Sequence, residues 1–136
     1  MGTVYTDIKL TKIKDITLSQ SGYIKENEVR EVNVNAVVDT GAETLCITEN
    51  IFIKLGLGME RQKMAKVADG RFSTCSVSTP IKIQWEDRDS VARALVIAGS
   101  DEILLGAIPL EEMDLIVDPK KEKLIGAHGD LQILRI

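Results

Sequence analysis

The stretch Ala36-Val37-Val38-Asp39-Thr40-Gly41-Ala42 decides how the chain is read. Ala36, Val37 and Val38 end a strand whose earlier apolar residues, Val32 and Val34, alternate with Asn33 and Asn35. Alternation of period two marks a half-buried strand, and a fully apolar end marks its entry into a core. A carboxylate follows at once, where burial normally forbids one. Thr40 and Gly41 then force a tight turn while keeping a hydroxyl available. A buried acid on such a turn suits general acid/base work, because burial and neighbours tune when it ionises. Two plainer readings use the same residues. Thr40-Gly41-Ala42-Glu43 matches a capping box that would start a helix at 41, although Thr44 to Thr48 are mostly poor helix formers. Asp-Thr-Gly is also an ordinary turn between two strands.

Outward from this turn, period two prevails. Val4, Ile8 and Leu10, then Ile13, Ile16 and Leu18, sit among Thr and Lys as strand residues would. Residues 20–28 are polar and read as a loop or wide hairpin. After Leu45-Cys46-Ile47, Thr48 is placed to cap a helix whose stripe is Ile51, Phe52 and Leu55, with Gly56 as its left-handed stop. Asp69-Gly70, between Ala65–Ala68 and Arg71–Cys75, is the strongest hairpin signal in the chain. Residues 77–85 and 91–97 read as strands around the charged turn Glu86-Asp87-Arg88-Asp89. Leu104-Leu105-Gly106 ends a short strand, and a second helix follows with Pro109 in its first turn and Glu111 and Glu112 at its positive end. Leu115–Val117 and Lys123–Ile125 close a hairpin over Asp118-Pro119-Lys120, and Leu131–Ile136 reads as a final strand. The expectation is one all-β domain over residues 1–136, a small closed barrel or sandwich with one or two short helices.

Composition narrows the function classes. The chain has 136 residues, of which 44% are hydrophobic and 28% charged, so a packed core is within reach and disorder is not expected. A formal net charge of −4 offers no footprint for a nucleic-acid backbone. No apolar run approaches the roughly 20 residues of a spanning helix, and no secretory signal is visible, so a cytoplasmic protein with no membrane partner is expected. Cys46 and Cys75 lack metal or redox spacing, and the lone His128 in a Gly-rich turn makes no metal constellation. No metal or cofactor is expected.

Asp39-Thr40-Gly41-Ala42 resembles the signature of retroviral-type (retropepsin-like) aspartic proteases, and the flanking order fits over nearly the whole chain. A strand and a helix ending in Leu55-Gly56 follow the signature, then a hairpin at Asp69-Gly70, then Leu104-Leu105-Gly106 before a helix. Ala68-Asp69-Gly70-Arg71 and Val117-Asp118-Pro119 are similar to patterns of the bacterial and archaeal single-domain branch. Two departures stand out. The hairpin holds a single glycine, and Ala107 takes the place of an arginine that viral members carry.

The resemblance implies a retropepsin-like barrel whose active site lies on a homodimer two-fold. The chain has one Asp-Thr-Gly, so each protomer would supply one Asp39. Two such carboxylates cannot readily ionise side by side and share a proton. One would activate a water and the other would protonate the scissile carbonyl of a peptide or protein substrate. Thr40 would lock the two loops together, with Gly41 and Ala42 allowing close approach. Ala68, Asp69 and Gly70 would form a flap over an extended peptide. A rival reading keeps the same fold and dimer as a protein-binding module with little or no proteolysis; a plainer one makes Asp39 a turn residue in a β-barrel scaffold.

Overall fold

A computed structural model describes residues 2–67, 69–134 and 136. In chain order the elements are β1 (Tyr5–Lys12), α1 (Ile13–Gln20), a 3-10 turn (Glu26–Glu28), β2 (Glu31–Val38), β3 (Leu45–Thr48), α2 (Glu49–Lys54), β4 (Met59–Lys66) and β5 (Phe72–Ser78). They continue with β6 (Ile81–Trp85), β7 (Arg88–Ala92), β8 (Leu95–Ile97), β9 (Leu104–Leu105), α3 (Ala107–Glu112), β10 (Leu115–Asp118) and β11 (Lys123–Gly126). One nine-stranded sheet runs β4-β5-β8-β3-β9-β2-β1-β6-β7, and β10 pairs with β11 in a separate hairpin. The all-β expectation holds. The sheet curls as a half-barrel in which β4 and β7 remain the outer strands, so its ladder does not run all the way round.

Leu10, Leu45, Ile47, Leu55, Ile81, Ile83, Leu105 and Met113 are wholly buried in one cluster. Each such side chain contributes about 1.5–3 kcal/mol of transfer free energy, which makes this cluster the main source of stability. The helix expected after β3 forms as α2. Thr48 is its cap, its Oγ1 accepting from Ile51 N at 3.2 Å, and Gly56 ends it at φ +59°.

The strands expected over 77–85 and 91–97 each break in two, at Thr79-Pro80 between β5 and β6 and at Arg93-Ala94 between β7 and β8. Strand β7 already starts at Arg88, inside the expected turn. Two further segments differ from the sequence reading. Residues 13–18 form α1 rather than a strand. The cause lies outside the segment. Asp15, 2% exposed, accepts from Arg30 N (3.0 Å), Nε (2.8 Å) and Nη2 (3.1 Å), and Lys12 Nζ donates to Gly56 O. The Arg30 side-chain bonds above all, with the Arg30 N–H bond and the nearby Arg30 and Lys12 charges, hold the Asp15 carboxyl below the usual carboxylate range. The second difference is at the C-terminus. Leu131 makes an isolated bridge to His128, and residues 132–134 are in no strand. Instead, Asp114 Oδ2 accepts from Ile133 N (2.9 Å) and lies 2.7 Å from His128 Nδ1.

Arg88, read from sequence as part of a charged turn, is 4% exposed. Its guanidinium donates to the carbonyls of Met113 (3.0 Å), Asp114 (2.8 Å) and Gly129 (2.6 Å), which ties the β10–β11 hairpin and the C-terminal segment to the sheet. Helix α3 forms with Pro109 in its first turn, but its acidic residues sit at the other end from the one expected. No acidic residue occupies the first turn, and Glu111 and Glu112 close the helix. No helix among the described residues is long and apolar enough to cross a membrane.

Candidate active site

Strand β2 delivers Asp39, and the two-residue strand β9 holds it there. β9 lies between β2, to which it is parallel (Val37↔Leu104, Val38↔Leu105), and β3, to which it is antiparallel (Leu45↔Leu105, Cys46↔Leu104). The loop 39–44 therefore leaves and re-enters the sheet across a single inserted strand. Asp39 N extends the ladder by donating to Leu105 O at 3.0 Å. Beyond it, Ala107 N donates to Ala42 O (2.8 Å) and Ile108 N to Glu43 O (2.9 Å), so the first turn of α3 caps the loop.

This packing makes Gly106 obligatory. A Cβ there would overlap Thr44 O and lie 2.7 Å from both Ala42 O and Thr44 N, all of them backbone atoms with nowhere to go. In the local sequence pattern Gly106 only ends a short apolar strand; in the fold its missing side chain is what admits the loop.

Within the loop, Gly41 N donates to Asp39 Oδ1 at 2.9 Å and Ala42 N to Asp39 O at 3.1 Å. This Asx-type turn fixes the carboxylate rotamer and occupies one oxygen. Among the described residues nothing donates to Oδ2. Asp39 is half-buried rather than fully buried as its strand context suggested, and Thr40 and Gly41 are exposed. The loop is a turn between two strands, and the helix start that a capping box would place at residue 41 does not occur.

The strand register divides the sheet into two faces. Val77, Leu95, Cys46, Leu104 and Val37 face one another across successive strands, and paired residues share a side. Asp39, two residues past Val37, lies on that side. The other side carries Ala36, Leu45, Ile47, Val96 and Leu105, all members of the main core cluster. None of the five residues in the Val77-to-Val37 row belongs to it. The Asp39 face is thus a second apolar surface, in which Val37, Leu95 and Leu104 are half-buried. Cys46, in the middle of the row, is itself buried; burial pushes its thiol up to about 11, with Cys75 and Asp39 adding to the shift.

The hairpin expected at Asp69-Gly70 forms from β4 and β5. Every residue of β4 except half-buried Ala65 is exposed, as are Phe72, Ser73 and Thr74, so the ribbon projects from the sheet. Its tip is held by Val67 N donating to Arg71 O (2.8 Å) and by Arg71 Nε donating to Asp69 Oδ2 (2.6 Å). Gly70 has φ +88° and nothing within 4 Å of where a Cβ would sit. Ala68 lies outside the described residues. Asp69 and Gly70 belong to the ribbon tip and Asp39, Thr40, Gly41 and Ala42 to one loop at the other end of the same face.

The sequence profile of the aspartyl protease family matches residues 26–108, more than half of the chain, and the chain belongs to that family. The matched span starts before β2 and ends in α3, enclosing the Asp39 loop, the ribbon and Gly106. Among solved structures, a retropepsin-like aspartic protease from Rickettsia conorii is similar at 16% identity, over 87% of this chain and 89% of that one, with a TM-score of 0.45. No curated protein sequence matches.

Proposed function

We propose that the protein is a homodimeric aspartic endopeptidase of the cytoplasm. The observation that carries this is a single Asp-Thr-Gly per chain, on a loop bonded at both ends, in which Thr40 is exposed and no donor among the described residues reaches Asp39 Oδ2. Two grooves on the protomer, one around Trp85 and Lys123 and one around Ser90 and Ile133, do not include Asp39. A lone protomer presents half a site, and a second copy across a two-fold supplies the other half.

In the dimer the ionised Asp39 of one protomer takes a proton from a bound water as it attacks the scissile carbonyl. The protonated Asp39 of its partner donates to the carbonyl oxygen, and a proton then passes to the leaving amine. Thr40 from each chain meets across the axis, while Gly41 and Ala42 admit the extended peptide. The ribbon tip, with Asp69 and Gly70, closes over it as a flap, its main chain bonding the substrate as an added strand.

The test combines sedimentation with digestion of a mixed peptide library, with and without an aspartic-protease transition-state analogue. A dimer whose cleavage is blocked by the analogue is the expected result. A fully active monomer at assay concentration overturns the shared site, and a folded dimer without cleavage favours the binding module of the same fold.

A further inference from the structure

The face that carries Asp39 does not stop at the half-buried row. In the ribbon, Arg61 stands opposite Val77 and Lys63 opposite Cys75, and opposite residues of an antiparallel pair share a side. Val77 is the end of the row that runs through Leu95, Cys46 and Leu104 to Val37. Arg61 and Lys63 are therefore on the same side of the sheet as Asp39, at the base of the ribbon. Ala65 and Ser73, an opposing pair one step nearer the tip, continue that side with small side chains.

The charges on this face are asymmetric. Both cations are exposed, and neither has an ion-pair partner among the described residues. The acids of the same ribbon are already engaged: Glu60 by Arg93 at 2.9 Å and Asp69 by Arg71 at 2.6 Å. At the far end of the row lie the carboxylates Asp39 and Glu43. In a chain of net charge −4, two unpaired cations at the base of a ribbon whose tip charges, Arg71 and Asp69, are paired with each other are a local field of the opposite sign.

We infer that Arg61 and Lys63 make the face a receptor for extended peptides with an acidic flank. The apolar row takes the side chains nearest Asp39, and glutamate or aspartate a few residues away lies under the ribbon. The inference rests on the peptide-cleft reading above but concerns recognition, so it is tested by binding.

The experiment uses the full chain carrying Asp39→Asn and three fluorescent decapeptides with one apolar centre and Glu, Gln or Lys flanks, read by anisotropy. The Glu-flanked peptide is expected to bind about two- to thirtyfold tighter than the Gln peptide, the range for two exposed ion pairs. That margin shrinks as salt rises toward 1 M, and Arg61→Glu with Lys63→Glu reverses the order. Equal affinity for all three peptides, an order unchanged by the double reversal, or no binding of any of them overturns the inference. Cleavage of the same peptides by the unsubstituted protein is scored separately, so flank-dependent binding without cleavage sinks the protease reading and leaves this one standing.

Discussion

The Asp39 loop and the β4–β5 ribbon are both glycine-bearing turns on one face of one sheet, and they are held in opposite ways. The loop is bonded to Leu105 on one side and to the first turn of α3 on the other, with Gly106 packed beneath it. Among the described residues the ribbon pairs with the rest of the sheet where β5 meets β8, at Ser76 and Val77, with the Glu60–Arg93 ion pair beside its base, and a Cβ at Gly70 in its tip would meet nothing within 4 Å. A group that must meet a water and a carbonyl at fixed distances belongs on the first kind of support. A cover that must open and close belongs on the second. The two glycines make the contrast concrete: Gly106 is required by what surrounds it, and Gly70 by its own backbone angle.

The largest expected effect comes from removing the carboxylate at the rigid end. Asp39→Asn keeps the acceptor for Gly41 N, so the turn and the fold should survive. The base is gone, and turnover should fall at least a hundredfold to ten-thousandfold, the range for loss of general acid/base catalysis. A peptide-cleavage assay beside a thermal melt reads both. Undiminished cleavage by the Asn form would end the assignment of Asp39 as catalyst.

Next is the support itself. Gly106→Ala places a methyl group into the backbone of residues 42–44 and should cost about 1–3 kcal/mol of stability as the loop is pushed away. Turnover should fall further than the folded fraction, because a displacement of even 1 Å at the carboxylate weakens its alignment. Urea denaturation gives the first quantity and activity per folded protein the second. A variant with native stability and activity means the loop has slack, and the rigid half of the comparison fails.

Far from the face, the Asp15–Arg30 pair sets how acid affects the scaffold. Its carboxyl is held below its usual range by Arg30, so the folded state binds this proton less readily than the unfolded chain does. The stabilisation is complete above the unfolded value of about 3.9 and is lost as pH falls through the lowered folded value. Asp15→Asn should cost about 1.5–3 kcal/mol at pH 7, the worth of hydrogen bonds to a charged group. The difference between wild type and variant should shrink on acidification. Melting curves from pH 7 to pH 3 test this, and a constant gap contradicts it.

The same pair explains where the sequence could and could not be read. Asp39-Thr40-Gly41 was legible because a carboxylate at the end of an apolar strand is improbable without a use. The α2 helix was legible because Thr48, Ile51, Leu55 and Gly56 lie within one local pattern. In α1, Ile13, Ile16 and Leu18 fit a strand as well as a helix, and the deciding partner, Arg30, lies 15 residues beyond Asp15. Leu131 to Leu134 alternate like a strand, yet in one chain Arg88 and Asp114 take up their backbone groups instead. Gly106 and the Arg61–Lys63 pair were hidden for a related reason. Their meaning depends on register across strands distant in sequence, which no local pattern carries.

The smallest expected effect on stability is at the ribbon tip, and it separates the two glycines most cleanly. At φ +88° a side chain is strained, at about 1–2 kcal/mol for a residue in the left-handed region. Gly70→Val therefore pays only a backbone cost, with no atom to displace. Because the ribbon packs on little, that strain can be relieved by local rearrangement of residues 67–71, and the melting point should move by less than the full amount. Turnover should respond more strongly, since a rearranged tip closes less well over the peptide. Hydrogen exchange offers an independent reading: amides around Gly70 should exchange far faster than those of β3 or β9 in the unsubstituted protein. If they are as protected as the Asp39 loop, the ribbon is not the mobile partner of a fixed site, and the division of labour between the two turns is wrong.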